Sequence, residues 1–100
     1  MNHPMKVAVI GVTGLVGREF LRILAERDFP VTELFLYSSV RSSGSVIKFR
    51  DAEVKVRQLN HHNFRRADLA LFSAGAAADR KWADPFAESG ALVIDNSSAF

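Results

Sequence analysis

The feature that most constrains this chain is the junction Gly11-Val12-Thr13-Gly14-Leu15-Val16-Gly17, which links a short apolar run to an amphipathic one. Before it, Lys6 to Ile10 is apolar and β-branched without alternation, the pattern of a strand covered on both faces. After it, Leu15, Val16, Phe20, Leu21, Ile23 and Leu24 recur at helical spacing, with Arg18, Glu19, Arg22 and Glu26 opposite, and the helix closes near Asp28 and Pro30. Glycines suit such a junction because the chain must turn tightly, let backbone approach a phosphate, and pack helix against strand. The unpaired N–H groups and positive dipole end of the helix then face the anion, and Thr13 offers a hydroxyl donor. The spacing G-x-x-G-x-x-G is not the commoner G-x-G-x-x-G, so the flanking strand and helix carry the reading; the competing one is a purely structural tight turn.

Further along, Glu33 to Tyr37 reads as a second strand, 38 to 45 as a polar loop, and 46 to 49 with 54 to 57 as a small hairpin around Arg50-Asp51-Ala52 at the sheet edge or surface. Leu69 to Phe72 is another apolar run, Ala76 to Glu88 is helix-compatible despite Pro85, and Leu92 to Ile94 is a last strand ending at Asp95. This alternation predicts an α/β class, a Rossmann-like and mostly parallel sheet with helices on both faces. No repeat or linker interrupts it, so residues 1–100 are expected to belong to one dinucleotide-binding domain, a partial one that stops at Phe100.

The second strand's end decides which dinucleotide is expected. Folds specific for NAD usually place an acid about 20 residues on, to hold the ribose 2′-hydroxyl. Here Tyr37-Ser38-Ser39-Val40-Arg41-Ser42 contains no acid. An arginine flanked by serines can hold a 2′-phosphate through charge-assisted hydrogen bonds, which favours NADP; the alternative is a solvated serine-rich loop.

Composition removes several other functions. The net charge of +2 comes from scattered arginines and not from a basic stripe, so a nucleic-acid-binding α/β domain ranks low despite a pI near 9.4. No leader-like h-region and no run near the roughly 20 apolar residues of a membrane span is present, so a cytoplasmic location is expected. There is no cysteine, hence no disulfide, thiolate metal site or thiol nucleophile. His61 and His62 lie in a polar connection without partner ligands at metal spacing, and His3 lies at the terminus, so no metal site is expected. Arg65 and Arg66 read as a surface pair, Trp82 as an anchor of its helix on the sheet in preference to an adenine platform, and Asp95 as a turn residue.

Four ordered segments resemble the aspartate-semialdehyde dehydrogenase family. Gly11 to Gly17 is similar to its GATGAVG turn, and Ser39 to Gly44 to its SARSAG loop; Phe72 to Gly75 matches FSAG, and Val93 to Phe100 matches VIDNSSAF. N-acetyl-glutamyl-phosphate reductase shares the glycine turn but differs at the last segment; a reductase of that kind and a non-catalytic dinucleotide-binding module are the competing readings. Val12 departs from the family's alanine, and Ala76-Ala77-Ala78 lacks a serine often found there.

The resemblance implies that Thr13 to Val16 line the pyrophosphate, that Ser39, Arg41 and Ser42 hold the 2′-phosphate, and that Ser73, Ala74 and Gly75 pass near the adenosine. It also places Asn96 toward the nicotinamide. It further implies reduction of aspartyl phosphate by NADPH to aspartate semialdehyde and phosphate, in lysine, threonine and methionine biosynthesis, by a homodimeric enzyme. The cysteine that forms the acyl thioester, the histidine that acts as acid and base, and an arginine for the substrate phosphate would lie beyond Phe100, so the chain itself holds no catalytic residue.

Overall fold

Residues 4–38, 44–61 and 64–95 are described by the structure, a computed structural model. Val7, Ala8, Val9 and Ile10 are all buried, so β1 (Met5–Ile10) is covered on both faces and stands in the middle of the sheet. α1 (Leu15–Glu26) follows it and returns the chain to β2 (Val31–Ser38), which pairs parallel to β1 with Ile10 opposite Tyr37. After β3 (Val46–Phe49) and β4 (Ala52–Gln58), the chain crosses to β5 (Leu69–Phe72), α2 (Ala76–Glu88) and β6 (Leu92–Asp95). The strand order is β3-β4-β2-β1-β5-β6, and every pairing is parallel except β3 with β4.

Alternation along the strands splits the core in two. Val7, Val9, Leu36, Val56, Leu69 and Leu71 pack with Leu21 and Leu24 of α1, while Ala8, Ile10, Tyr37, Ala70 and Phe72 pack with Trp82 and Phe86 of α2. The two helices therefore cover opposite faces, as the sequence predicts for a Rossmann-like sheet. Phe86 is fully buried and meets Phe64, Phe72 and Tyr37 in tilted or edge-on ring contacts.

The hairpin reading of 46 to 57 holds for β3 and β4, but only β3 is an edge strand; β4 joins the main sheet through Leu36, Tyr37 and Ser38. Arg50 at its turn adopts φ 55° and donates from one guanidinium nitrogen to the carbonyls of Leu24 (2.9 Å), in the last turn of α1, and Phe29 (2.7 Å), just beyond it. Both carbonyls also accept a backbone N–H, Leu24 from Phe29 (3.1 Å) and Phe29 from Val31 (2.8 Å), so the cation adds a second, charged bond to each and complements the negative end of the helix dipole. Arg50→Ala is expected to cost about 1 kcal/mol, a charged hydrogen bond discounted for exposure, read as a lower urea midpoint at unchanged m-value.

The amphipathic reading of α1 needs correction in detail. Gly17, Leu21 and Leu24 face the sheet, but Leu15 (89% exposed), Val16 and Ile23 do not. Leu92 and Ile94, level with Leu69 and Leu71 across the β5–β6 pairing, are exposed as well. Arg65 and Arg66 are both exposed, as the sequence predicts, and Arg66 also donates from Nη2 (3.1 Å) and Nε (3.3 Å) to the Ser89 carbonyl at the end of α2.

Candidate functional site

A cleft of about 500 Å³ opens at the carboxyl ends of the central strands, where parallel sheets bind ligands. Its lining joins segments distant in sequence: Ile10, Gly11, Thr13 and Gly14 from the first turn, Tyr37 and Ser38 from β2, Gln58 and Leu59 after β4, Ser73 and Ala74 after β5, and Ala78, Lys81 and Trp82 from α2.

Backbone hydrogen bonds hold the turn in place. The N–H groups of Gly11 (2.8 Å) and Val12 (3.1 Å) both donate to the Tyr37 carbonyl, and Gly14 donates to the Gly11 carbonyl (3.2 Å). From the other side, the Ser73 N–H donates to the Ile10 carbonyl (2.9 Å), and its hydroxyl lies 3.3 Å from the carbonyl oxygens of Ile10 and Gly11.

The three glycines have different physical reasons. Gly11 has φ 88°, and a Cβ there would come within 2.7 Å of the Ser73 and Ala74 backbone. At Gly17 a Cβ would lie 2.3 Å from the Gly11 carbonyl oxygen and 2.6 Å from Val12 Cα, so this glycine lets α1 sit against the turn. Gly14 has φ −79° and a Cβ built on it would meet only the Gly11 carbonyl oxygen, at 3.6 Å. Neither the backbone nor the packing of the fold demands glycine at this last position, which lines the cleft and begins α1.

Both helix starts lack a side-chain cap: Gly14 precedes α1 and Gly75, with φ 112°, precedes α2. α1 has no acid in its first turn, so its initial N–H groups and dipole are left for an external anion. The side chains of Leu15 and Val16 line a separate surface groove with Glu19, Phe20 and Ile23, and what the helix start presents to the cleft is backbone.

Of the sequence-predicted residues, Gly11, Thr13, Gly14, Ser73 and Ala74 are thus brought together around one space. Leu15, Val16, Gly17 and Gly75 support its edges without lining it. Ser39, Arg41, Ser42 and Asn96 lie outside the described residues.

The sequence reading missed the opposite wall. Trp82 does anchor α2, being 6% exposed and stacked on Phe64 at 5.9 Å with His61 5.2 Å away, but it also lines the cleft. Ala78, Lys81 and Trp82 recur at i, i+3 and i+4, so helical spacing could have placed them on one face. Tyr37 forms part of the floor, and burial pushes its phenol pKa up, while a hydrogen bond to the Arg65 backbone and the charges of Arg65 and Arg57 pull it down.

Comparison with known proteins shows the family and the fold. The sequence profile of the semialdehyde dehydrogenase NAD-binding domain matches residues 6–100. An aspartate-semialdehyde dehydrogenase of Aquifex aeolicus is 53% identical over 96 residues, which are 95% of this chain and 28% of that protein. A crystal structure of aspartate-semialdehyde dehydrogenase II from Vibrio cholerae superposes with a TM-score of 0.89 at 44% identity, covering 98% of this chain and 29% of that one. A second structure of that Vibrio cholerae enzyme, complexed with ASA, gives a TM-score of 0.88. The chain spans under a third of the length of these relatives. No helix among the described residues is long and apolar enough to cross a membrane. The chain belongs to the semialdehyde dehydrogenase family, of which it carries the NAD-binding domain.

Proposed function

We propose that this chain is the NADP-holding part of an aspartate-semialdehyde dehydrogenase, acting in the cytoplasm as a homo-oligomer on aspartyl phosphate and aspartate semialdehyde within lysine, threonine and methionine biosynthesis. The observation that carries the reading is the cradle at Gly14: the one turn glycine for which the fold itself has no steric or torsional need lines the cleft, beside an uncapped helix start. A pyrophosphate laid there would accept hydrogen bonds from the first N–H groups of α1 and from the Thr13 hydroxyl. Gly11 and Gly17 bring those donors together by close packing, and Ser73 and Ala74 close the turn from β5. The ribose end of the ligand would extend past Ser38 toward Ser39, Arg41 and Ser42, with Asn96 on the nicotinamide side. The dinucleotide supplies hydride; this part of the protein binds and orients it.

The choice of NADP over NAD rests on Arg41, where an acid is missing. In the full-length protein, Arg41→Ala is expected to weaken NADP by on the order of 1.5 to 3 kcal/mol, the worth of a charge-assisted contact, and to leave NAD nearly unchanged. Calorimetric titration with both cofactors checks this. Equal losses would show that Arg41 does not read the 2′-phosphate.

A further inference from the structure

We propose that Lys81 is a second reader of the 2′-phosphate, acting from α2 across the cleft from the β2 end; the inference rests on the cleft being the dinucleotide site. Lys81 is the only charged residue among the described residues that line the cleft, and no acid offsets it there. It lines the wall with Ala78 and Trp82, and its Nζ stands 5.8 Å from the Trp82 ring centroid, an exposed cation beside an aromatic face. Ser38, the last residue of β2, lines the same cleft. The next residues are those in which a dinucleotide fold places its 2′-group contacts.

Among the described residues, the other cations near this strand end line other surfaces. Arg57 and Arg65 line a neighbouring cavity over β2 and β4 with Lys55 and Glu53, and reach Tyr37 from that side. Arg66 is engaged with the Ser89 carbonyl. Lys81 therefore supplies the positive charge on the α2 wall among the described residues that line the cleft. The ligand feature that this ammonium would favour is a phosphate dianion on the ribose and not a neutral hydroxyl, because the hydrogen bond to the dianion is charge-assisted. Adenine itself, packed against the apolar part of the same wall (Leu59, Ala78 and Trp82), gives no reason for a cation.

The test compares two half-ligands, 2′,5′-ADP and 5′-AMP, by calorimetry on the full-length protein with Lys81, Lys81→Met and Lys81→Arg. Lys81→Met is expected to weaken 2′,5′-ADP about tenfold, near the low end for a charged contact, and 5′-AMP by less than twofold, with Lys81→Arg restoring most of the loss. Equal weakening of both ligands, or no weakening of either, overturns the assignment, since the lysine would then act on the shared 5′ portion or not at all. Gly14→Val serves as the separate control: if it leaves 2′,5′-ADP binding intact, or if the unaltered protein fails to bind that ligand, the dinucleotide cleft itself is wrong and this proposal falls with it.

Discussion

Gly17→Val is expected to lower the stability of the domain by more than about 3 kcal/mol, at or beyond the upper range for overpacking, whereas Gly14→Val leaves it folded and abolishes dinucleotide binding. The two positions lie one helical turn apart and receive the same side chain, so composition and propensity cannot separate them. Space does. A Cβ at residue 17 would meet the Gly11 carbonyl oxygen at 2.3 Å and Val12 Cα at 2.6 Å, both backbone atoms that cannot rotate away. For a domain of this size the loss corresponds to a fall in Tm of about 12 °C or more. At residue 14 the nearest atom is 3.6 Å from the added Cβ, and the expected structural cost is about 1 kcal/mol, because valine caps a helix less well than glycine. Thermal unfolding and calorimetry with NADP read the two effects separately. Similar Tm values for both variants, or retained affinity in Gly14→Val, would remove the distinction between packing glycine and phosphate glycine.

The 100-residue chain alone is expected to show no dehydrogenase turnover, even when folded and loaded with NADP. In the proposed reaction a thiolate attacks the acyl carbon of aspartyl phosphate and expels phosphate, and the resulting thioester accepts hydride and releases the aldehyde with the thiolate; this chain contains no cysteine. Serine is a poor replacement, since its hydroxyl is far less acidic than a thiol and an ester is a weaker hydride acceptor, so the serines at 97 and 98 cannot take over. His61 lies against Trp82, is not among the residues that line the cleft, and has no thiol to activate in this chain. The assay is phosphate-dependent reduction of NADP with aspartate semialdehyde, run on this chain and on the full-length protein. Turnover by the chain alone would refute the assignment of chemistry to a cysteine elsewhere.

The sequence disclosed what local pattern controls. Continuous apolar runs at 6 to 10 and 69 to 72 announced strands buried on both faces, and the glycine turn announced where the sheet would open. Periodicity did not disclose which flank of α1 meets the sheet, because Leu15, Val16 and Ile23 have the same apolar character as Leu21 and Leu24 and differ only in their angle around the helix. Nor did it reveal that β4 pairs with β2, since two strands joined by a short turn satisfy each other locally and the parallel partner lies some distance back in the chain. On the site, the turn was legible from its glycines. The α2 wall was not, because alanine, lysine and tryptophan on a helix read as ordinary surface and anchor residues until the fold sets them opposite Ser38 and Gly14.

The position of β1 fixes the order in which this architecture can be completed as the chain is synthesised. β1 gains its first neighbour as soon as β2 emerges, but its other edge stays open until Leu69 to Phe72 arrive. Until then an apolar strand presents unpaired backbone groups, and the Ala8 and Ile10 side of the sheet waits longer still, for Trp82 and Phe86. The glycine turn, made well before β5, cannot be locked until Ser73 donates to Ile10 and Ala74 packs on Gly11. Such long-range closure is entropically costly and slow, so the nascent chain is most exposed to mispairing with other unpaired strands just before its sixth element appears.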